Sequence, residues 1–282
     1  MNAPVNSYAG TVIAMGTMHG KERQVAPAFA AEIGARVIAP PGIDTDQFGT
    51  FAGEITRTLA PVAAASAKAR LAMSTARVPY GVASEASYDT WYGMLAVHQE
   101  ILVFIDDSRG IRVVEGVNIP RTPGPPKLVE SGHEAADAAR RFGFPEQGAV
   151  VKATVDGETR VFGKGLTDAF ALVEIVDNAV AAADDRRALL EPDLRAHHNP
   201  GRREVLAALA NRLAGRLATR CPACLSPGFG RVAVREGLPC RVCGSPTTLV
   251  AADILGCPAC EHRSEDIRSG TAEPRYCPQC NP

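Results

Sequence analysis

The sequence predicts an α/β fold: a mixed, largely parallel sheet flanked by helices, with a C-terminal pair of four-cysteine zinc ribbons. Three observations carry that reading. The first forty residues run apolar stretch, helical pattern, apolar stretch with short links, the mark of a βαβ unit and a parallel sheet. Two turn signals further on, Asp107-Ser108-Arg109-Gly110 and Asp156-Gly157, sit between apolar runs and read as hairpins. All eight cysteines stand in four Cys-x-x-Cys pairs near the end of the chain. The organisation expected is an α/β ligand-binding or catalytic domain over 1–200, a connecting helix over 201–220 and a double zinc-ribbon domain over 221–282.

In chain order, Thr11 to Met15 is a short apolar run suited to a buried strand, followed by a loop over 16–20. Lys21 to Ile33 carries Val25, Ala28, Phe29 and Ile33 at helical spacing and stops at Gly34. Arg36 to Ala39 is a second strand, closed by Pro40-Pro41-Gly42. A polar, glycine-broken loop over 43–54 leads into an alanine-rich helix from about Glu54 to Ala76, then a strand from Pro79 to Ala83. Glu100 to Asp106 and Ile111 to Val117 form the first hairpin, and 121–126 is a proline-rich link. Glu134 to Phe142 is helical, Ala149 to Thr154 and Thr159 to Phe162 form the second hairpin, and Asp168 to Ala183 is an amphipathic helix. After a polar segment, Glu204 to Ala218 carries an apolar stripe of Val205, Leu206, Leu209, Leu213 and Leu217.

Cys221/Cys224, Cys240/Cys243, Cys257/Cys260 and Cys277/Cys280 have zinc-ligand spacing. A thiolate pair two residues apart bends a tight turn around one metal, and two pairs complete a tetrahedral set. Pro222, Pro258, Pro278 and Gly244 supply turn residues. Eight thiols therefore read as two structural zinc ions, and the simplest pairing joins first pair with second and third with fourth. An interleaved pairing remains open, because the spacers are similar in length. Each closed four-ligand site leaves no place for a reacting water. A disulfide framework would need an oxidising compartment; Met1 to Gly10 lacks a secretory pattern, and free thiolates point to the cytoplasm.

The formal net charge of −1 gives no general pull toward nucleic acid or anionic lipid. From Cys221 to Pro282, six arginines face six acids and only Phe229 and Tyr276 are aromatic, unlike ribbons that grip nucleic acid by charge. No apolar run is long enough to cross a bilayer. The partners expected are a phosphorylated small molecule and a protein partner met through the ribbons.

Three constellations could carry chemistry. Thr17, His19, Lys21 and Glu22 occupy a strand-loop-helix junction, where free amides and the positive end of a helix can hold an anion. Asp44, Asp46, Glu54 and Glu85 fall near strand ends and are the candidate catalytic carboxylates, suited to Mg²⁺ or to orienting water, with Lys68 beside them for phosphate. Arg195, His197, Asn199, Arg202 and Arg203 form a dense polar segment able to clamp an anion. Against each stands a plainer use: a helix start, a turn cap, a linker.

Together, His19-Gly20-Lys21-Glu22, the 44–54 loop, Ala83-Ser84-Glu85, the 195–200 segment and the ribbons ending Tyr276-Cys277-Pro278-Gln279-Cys280 resemble a bacterial family described as a domain of unknown function, number 6671. The resemblance implies an α/β fold and a zinc-binding tail, and no activity. After Glu85 that family typically runs Gly-Ser-Phe-Gly-Pro-His, whereas Ala86-Ser87-Tyr88-Asp89-Thr90-Trp91 stands here, which implies a different ligand if the loop touches one. The order of elements also looks like that of the inosine triphosphate pyrophosphatases: Thr17 to Lys21, Thr50 to Glu54, Lys68-Ala69 and Ser84-Glu85 fall in their order. The expected function is a Mg²⁺-dependent hydrolase acting on a nucleotide or other phosphorylated small molecule. The alternative is a ligand-sensing adaptor.

Overall fold

Strand alternation sorts the first lobe into two faces, and that sorting separates the candidate residues carried by β3 and β4. The computed structural model describes residues 7–49, 56, 58–91, 95–119 and 124–281. The first lobe contains β1 (Val12–Met15), α1 (Glu22–Ile33), β2 (Arg36–Ile38), a 3-10 turn at Asp46–Phe48, α2 (Pro61–Ala76), β3 (Tyr80–Trp91), β4 (Leu95–Asp106) and β5 (Ile111–Ile119). The sheet order is β2-β1-β3-β4-β5. β1 pairs in parallel with β2 and β3, whereas β3, β4 and β5 pair antiparallel, so the sheet is mixed as expected. Ile13, Met15, Val82, Leu102 and Phe104 pack with α1 on one face. Ala83, Ile101, Val103 and Ile105 pack with Ala65, Ala69 and Met73 of α2 on the other. Successive side chains of a strand point oppositely, so this register also sends Ser84 and Glu85 to opposite faces.

β3 and β4 reach well past the expected strands over 79–83 and 100–106, pairing from Tyr80↔Asp106 to Trp91↔Leu95. The run Ser84 to Tyr88 hides a strand because its side chains lie beyond the end of β1, where the sheet meets the site and not the apolar core. α2 starts at Pro61, later than expected; proline fits the first helical turn. Gly16, just past β1, lies against α2 so closely that a Cβ would come within 2.3 Å of the Lys68 carbonyl oxygen. Only glycine admits that approach.

The second lobe is antiparallel throughout: β6 (Lys127–Val129), β7 (Ala149–Val155), β8 (Glu158–Leu166) and β9 (Ala188–Pro192) in the order β6-β9-β7-β8. Helices α3 (Gly132–Arg141) and α4 (Ala169–Ala182) bury Ala135, Ala139, Leu172 and Val176 against Ala149, Val151 and Leu190. Ser131 and Asp168 cap these helices by accepting the Glu134 and Ala171 amides.

After a 3-10 turn at Ala196–His198, α5 (Pro200–Ala218) returns to the first lobe. Its Leu206, Leu209, Leu213 and Leu217 share a cluster with Val25, Phe29 and Ile33 of α1. Each fully buried leucine contributes about 1.5–3 kcal/mol. The segment expected as a connecting helix is thus a wall of the first core. The tail is a three-stranded antiparallel sheet, β10 (Gly230–Glu236), β11 (Val250–Gly256) and β12 (Arg263–Ile267). Arg216, near the end of α5, donates to the carbonyls of Gly228 and Arg231 in the tail and pairs with Glu115 of β5 at 3.1 Å. Among the described residues no helix is long and apolar enough to cross a membrane.

Candidate functional site

The eight thiols form two sets, Cys221/Cys224/Cys257/Cys260 and Cys240/Cys243/Cys277/Cys280. In each set the four sulfurs lie within 4.8 Å of one another. Sulfur separations are 3.8 Å (Cys221–Cys260) and 3.5 Å (Cys224–Cys257) in one, and 3.9 Å (Cys240–Cys280) and 3.5 Å (Cys243–Cys277) in the other. Tetrahedral Zn–S bonds of about 2.3 Å would place sulfurs about 3.8 Å apart. The donor sets therefore fit two structural zinc ions, and the separations are far from an S–S bond.

The pairing is interleaved, which corrects the sequential expectation. β10 carries the chain from the first Cys-x-x-Cys turn to the opposite end of the tail, and β11 brings it back to the third. Seven strand residues span about 23 Å at about 3.3 Å each, far too much for consecutive pairs to share an ion. Alternate pairs meet instead. In the second set, hydrogen bonds from Ser245 draw Cys243 down to about 6, whereas hydrogen bonding to Cys243 pushes Cys280 up to about 12. Four sulfurs this close cannot all ionise beside one another without a cation.

The second group of candidates lies beyond the end of β1, on the α1/α5 face. Arg202, in the first turn of α5, sends Nε and Nη2 to the two carboxylate oxygens of Glu100 at 2.9 and 3.0 Å, and Nη1 to the Leu194 carbonyl at 2.6 Å. Both side chains are sealed, Arg202 at 1% and Glu100 at 0% exposure. Burial opposes charge on Glu100, but Arg202 and the His98 hydrogen bond hold its carboxyl below the usual range. His98 lies 3.0 Å from Glu100 Oε2, and the Tyr88 ring stacks on it at 4.7 Å.

Lys21 Nζ donates to Ser84 Oγ at 3.1 Å on this same face. The residue keeps some contact with solvent, yet its ammonium lies deep enough that desolvation, then Arg202, lowers it to about 8. Two cations, Lys21 and Arg202, thus stand here beside Glu100, while Glu85 acts on both from the α2 face, where Lys68 pairs with it. At the rim His19 Nε2 is 3.3 Å from Asp46 Oδ1, and its ring stacks on His197 at 4.6 Å. Burial, then His198 and His19, lowers His197 to about 4, so its imidazole is neutral at pH 7.

The remaining candidates are committed elsewhere. Lys68 and Glu85 pair at 2.6 Å on the α2 face, buried and mutually neutralising. Asp44 Oδ1 accepts the amides of Asp46 and Gln47, a turn cap. Thr17 Oγ1 accepts the His19 amide and shapes the loop. Arg195 forks onto Asp193, with Nη2 to Oδ2 at 2.6 Å. Arg203 donates to the His197 carbonyl. Asn199 Oδ1 caps α5 by accepting the Arg202 amide. Glu54 lies outside the described residues. Glu100, His98 and Tyr88 were not anticipated. Their signal was a histidine and a carboxylate, His98 and Glu100, at alternate positions leading into an apolar strand.

A family model described as Domain of unknown function (DUF6671) matches residues 68–282, more than half of the chain. The chain belongs to this family. The DUF6671 match takes in Glu85, Glu100, Arg202 and all eight cysteines, whereas the loop with His19, Lys21 and Asp46 precedes it. No curated protein and no solved structure matches the chain.

Proposed function

We propose that the protein binds a phosphorylated small molecule beyond the end of β1 and carries out acid–base hydrolysis on it. The carrying observation is the buried charge balance: Glu100 lies beside Lys21 and Arg202, the Glu85 charge that also reaches them is matched by Lys68, and Lys21 bonds to a hydroxyl, not a carboxylate. An anion at Lys21 would complete that balance and favour the charged ammonium. The His19–Asp46 pair lies alongside and partly open to solvent, with side chains 25% and 39% exposed. Asp46 orients the imidazole and His19 moves the proton to or from an attacking water. Neutral His197 stacks on it without adding charge. Asp44 and Glu85 have no metal-binding role in this reading, since their carboxylates are taken by a turn and by Lys68.

The test is a panel of nucleotides and sugar phosphates assayed for phosphate release and for binding. Wild-type protein should turn over at least one compound. His19→Ala should lower kcat by about 10²–10⁴-fold, and Lys21→Met should raise KM, with zinc content unchanged. Absence of both binding and turnover across the panel would end the reading.

A second reading, that the tail meets a protein partner, has its own support. Leu225 and Val242, in or beside two Cys-x-x-Cys turns, are 63% and 70% exposed. An L225D/V242D double substitution that leaves two zinc ions bound should abolish a partner contact; a partner captured equally well by it would dismiss this reading.

A further inference from the structure

Between α3, the start of α5 and the β3–β4 hairpin lies a cavity of about 280 Å³. It holds roughly nine waters' volume at about 30 Å³ each. None of His19, Lys21 and Asp46 lines it. Its walls include Tyr88, His98, Arg141, Phe142, Asn199 and Arg202, and no Asp or Glu is among the described lining residues. Two features make it a site. The first turn of α5 opens onto it through Pro200 and Gly201, so the positive end of a nineteen-residue helix faces the space. Independently, Asn199 is only 4% exposed, and while its Oδ1 caps the helix its Nδ2 has no hydrogen-bond partner. It lies near the Tyr88 phenol, close enough to ease its ionisation, but outside hydrogen-bonding geometry. A buried amide donor without an acceptor costs about 1–3 kcal/mol, and an oxyanion supplies the acceptor.

We propose that this cavity binds a small molecule carrying a carboxylate or phosphate on a flat apolar body. Asn199 Nδ2 and the first turn of α5 receive the oxyanion. Arg141, exposed at the end of α3 and making no ion pair with a described residue, supplies charge at the mouth. The Tyr88–His98 stack and Phe142 supply flat faces for the body. Arg202 only shapes the wall, because Glu100 holds Nε and Nη2 and Asn199 Oδ1 takes the backbone amide. Burial pushes the Tyr88 phenol up to about 12, which keeps it neutral and able to donate.

The inference stands apart from the hydrolytic reading, and titration calorimetry on the full zinc-loaded chain tests it. The probes are phenyl phosphate, benzoate and inorganic phosphate. Saturable binding of phenyl phosphate or benzoate, with inorganic phosphate weaker, is the expected result. Asn199→Asp keeps the helix cap but turns the donor into an acceptor, and should lower affinity at least about tenfold. Asn199→Ser keeps the cap with a shorter group and should lower it several-fold, guarding against a folding defect in the aspartate variant. Arg141→Ala, at an exposed position, should also weaken binding. His19→Ala should leave it unchanged. The proposal is overturned if none of the probes titrates, if Asn199→Asp and Arg141→Ala bind like wild type, or if His19→Ala abolishes binding.

Discussion

Interleaved zinc sites make an integer forecast that sequential sites do not share. In the structure Cys221 and Cys257 belong to one four-sulfur set, and Cys240 and Cys277 to the other. A C221S/C257S variant therefore damages one site twice and should retain one zinc per chain. A C221S/C240S variant damages both sites and should retain none. Sequential pairing reverses the two outcomes. The scale of the accompanying stability loss follows from the architecture. Structural zinc contributes about 10–16 kcal/mol of apparent binding free energy, as much as the whole stability of an ordinary domain, about 5–15 kcal/mol. The tail sheet cannot replace that with apolar burial, because β10 and β12 are exposed along almost their whole length. Loss of one ion should unfold one end of the tail, while α5 and the first lobe keep their own core. Elemental analysis gives the stoichiometry, and hydrogen exchange locates the loosened end. Two zinc ions lost from C221S/C257S with one retained in C221S/C240S would refute the topological argument.

Glu100→Ala should destabilise the protein by about 3–5 kcal/mol in urea unfolding, because it strands the Arg202 guanidinium at 1% exposure without a counter-charge. Lys21, lowered from 10.5 to about 8 in the folded chain, carries its proton longer in the unfolded chain, so stability should rise as pH goes from about 8 to 10.5; Lys21→Met should flatten that rise in denaturant melts across pH. Arg216→Ala removes donors to two tail carbonyls and one partner of Glu115, and should cost about 2 kcal/mol while speeding proteolytic cleavage near 219–229. Chelation with EDTA should release both zinc ions and abolish the protected amides of β11, whereas those of β4 should persist.

The sequence carried the zinc ligands, the βαβ start and both hairpins, because each depends on local chemistry: thiol spacing, helical period, turn residues. It concealed whatever depends on how segments meet. The cysteine pairing needed the direction of β10 and β11, which no spacer length reveals. Glu85 and Lys68 read as site residues, yet one step along β3 reverses a side chain's face and turns them into a buried pair on the α2 side. Ser84, one residue earlier, received Lys21 instead. Arg202 did carry a trace of its role. It falls at helical spacing with Leu206, Leu209, Leu213 and Leu217, and a charged residue in an apolar stripe must find a counter-charge inside. Glu100, also set among buried neighbours, was the natural partner, but 102 positions separate the two.

α5 touches three parts of the chain. Its first turn presents Arg202 to Glu100 and forms a wall of the cavity, its middle closes the core with α1, and its last turn fixes the tail through Arg216. A helix is stiff over its length, so these three attachments share one rigid element. Any ligand that draws on the first turn of α5 is therefore held by a helix whose far end the zinc tail grips. Zinc held by the two four-cysteine sets would then act beyond the tail. By keeping the tail folded against Arg216, it would preserve one of the three attachments of the helix that carries Arg202 and is capped by Asn199.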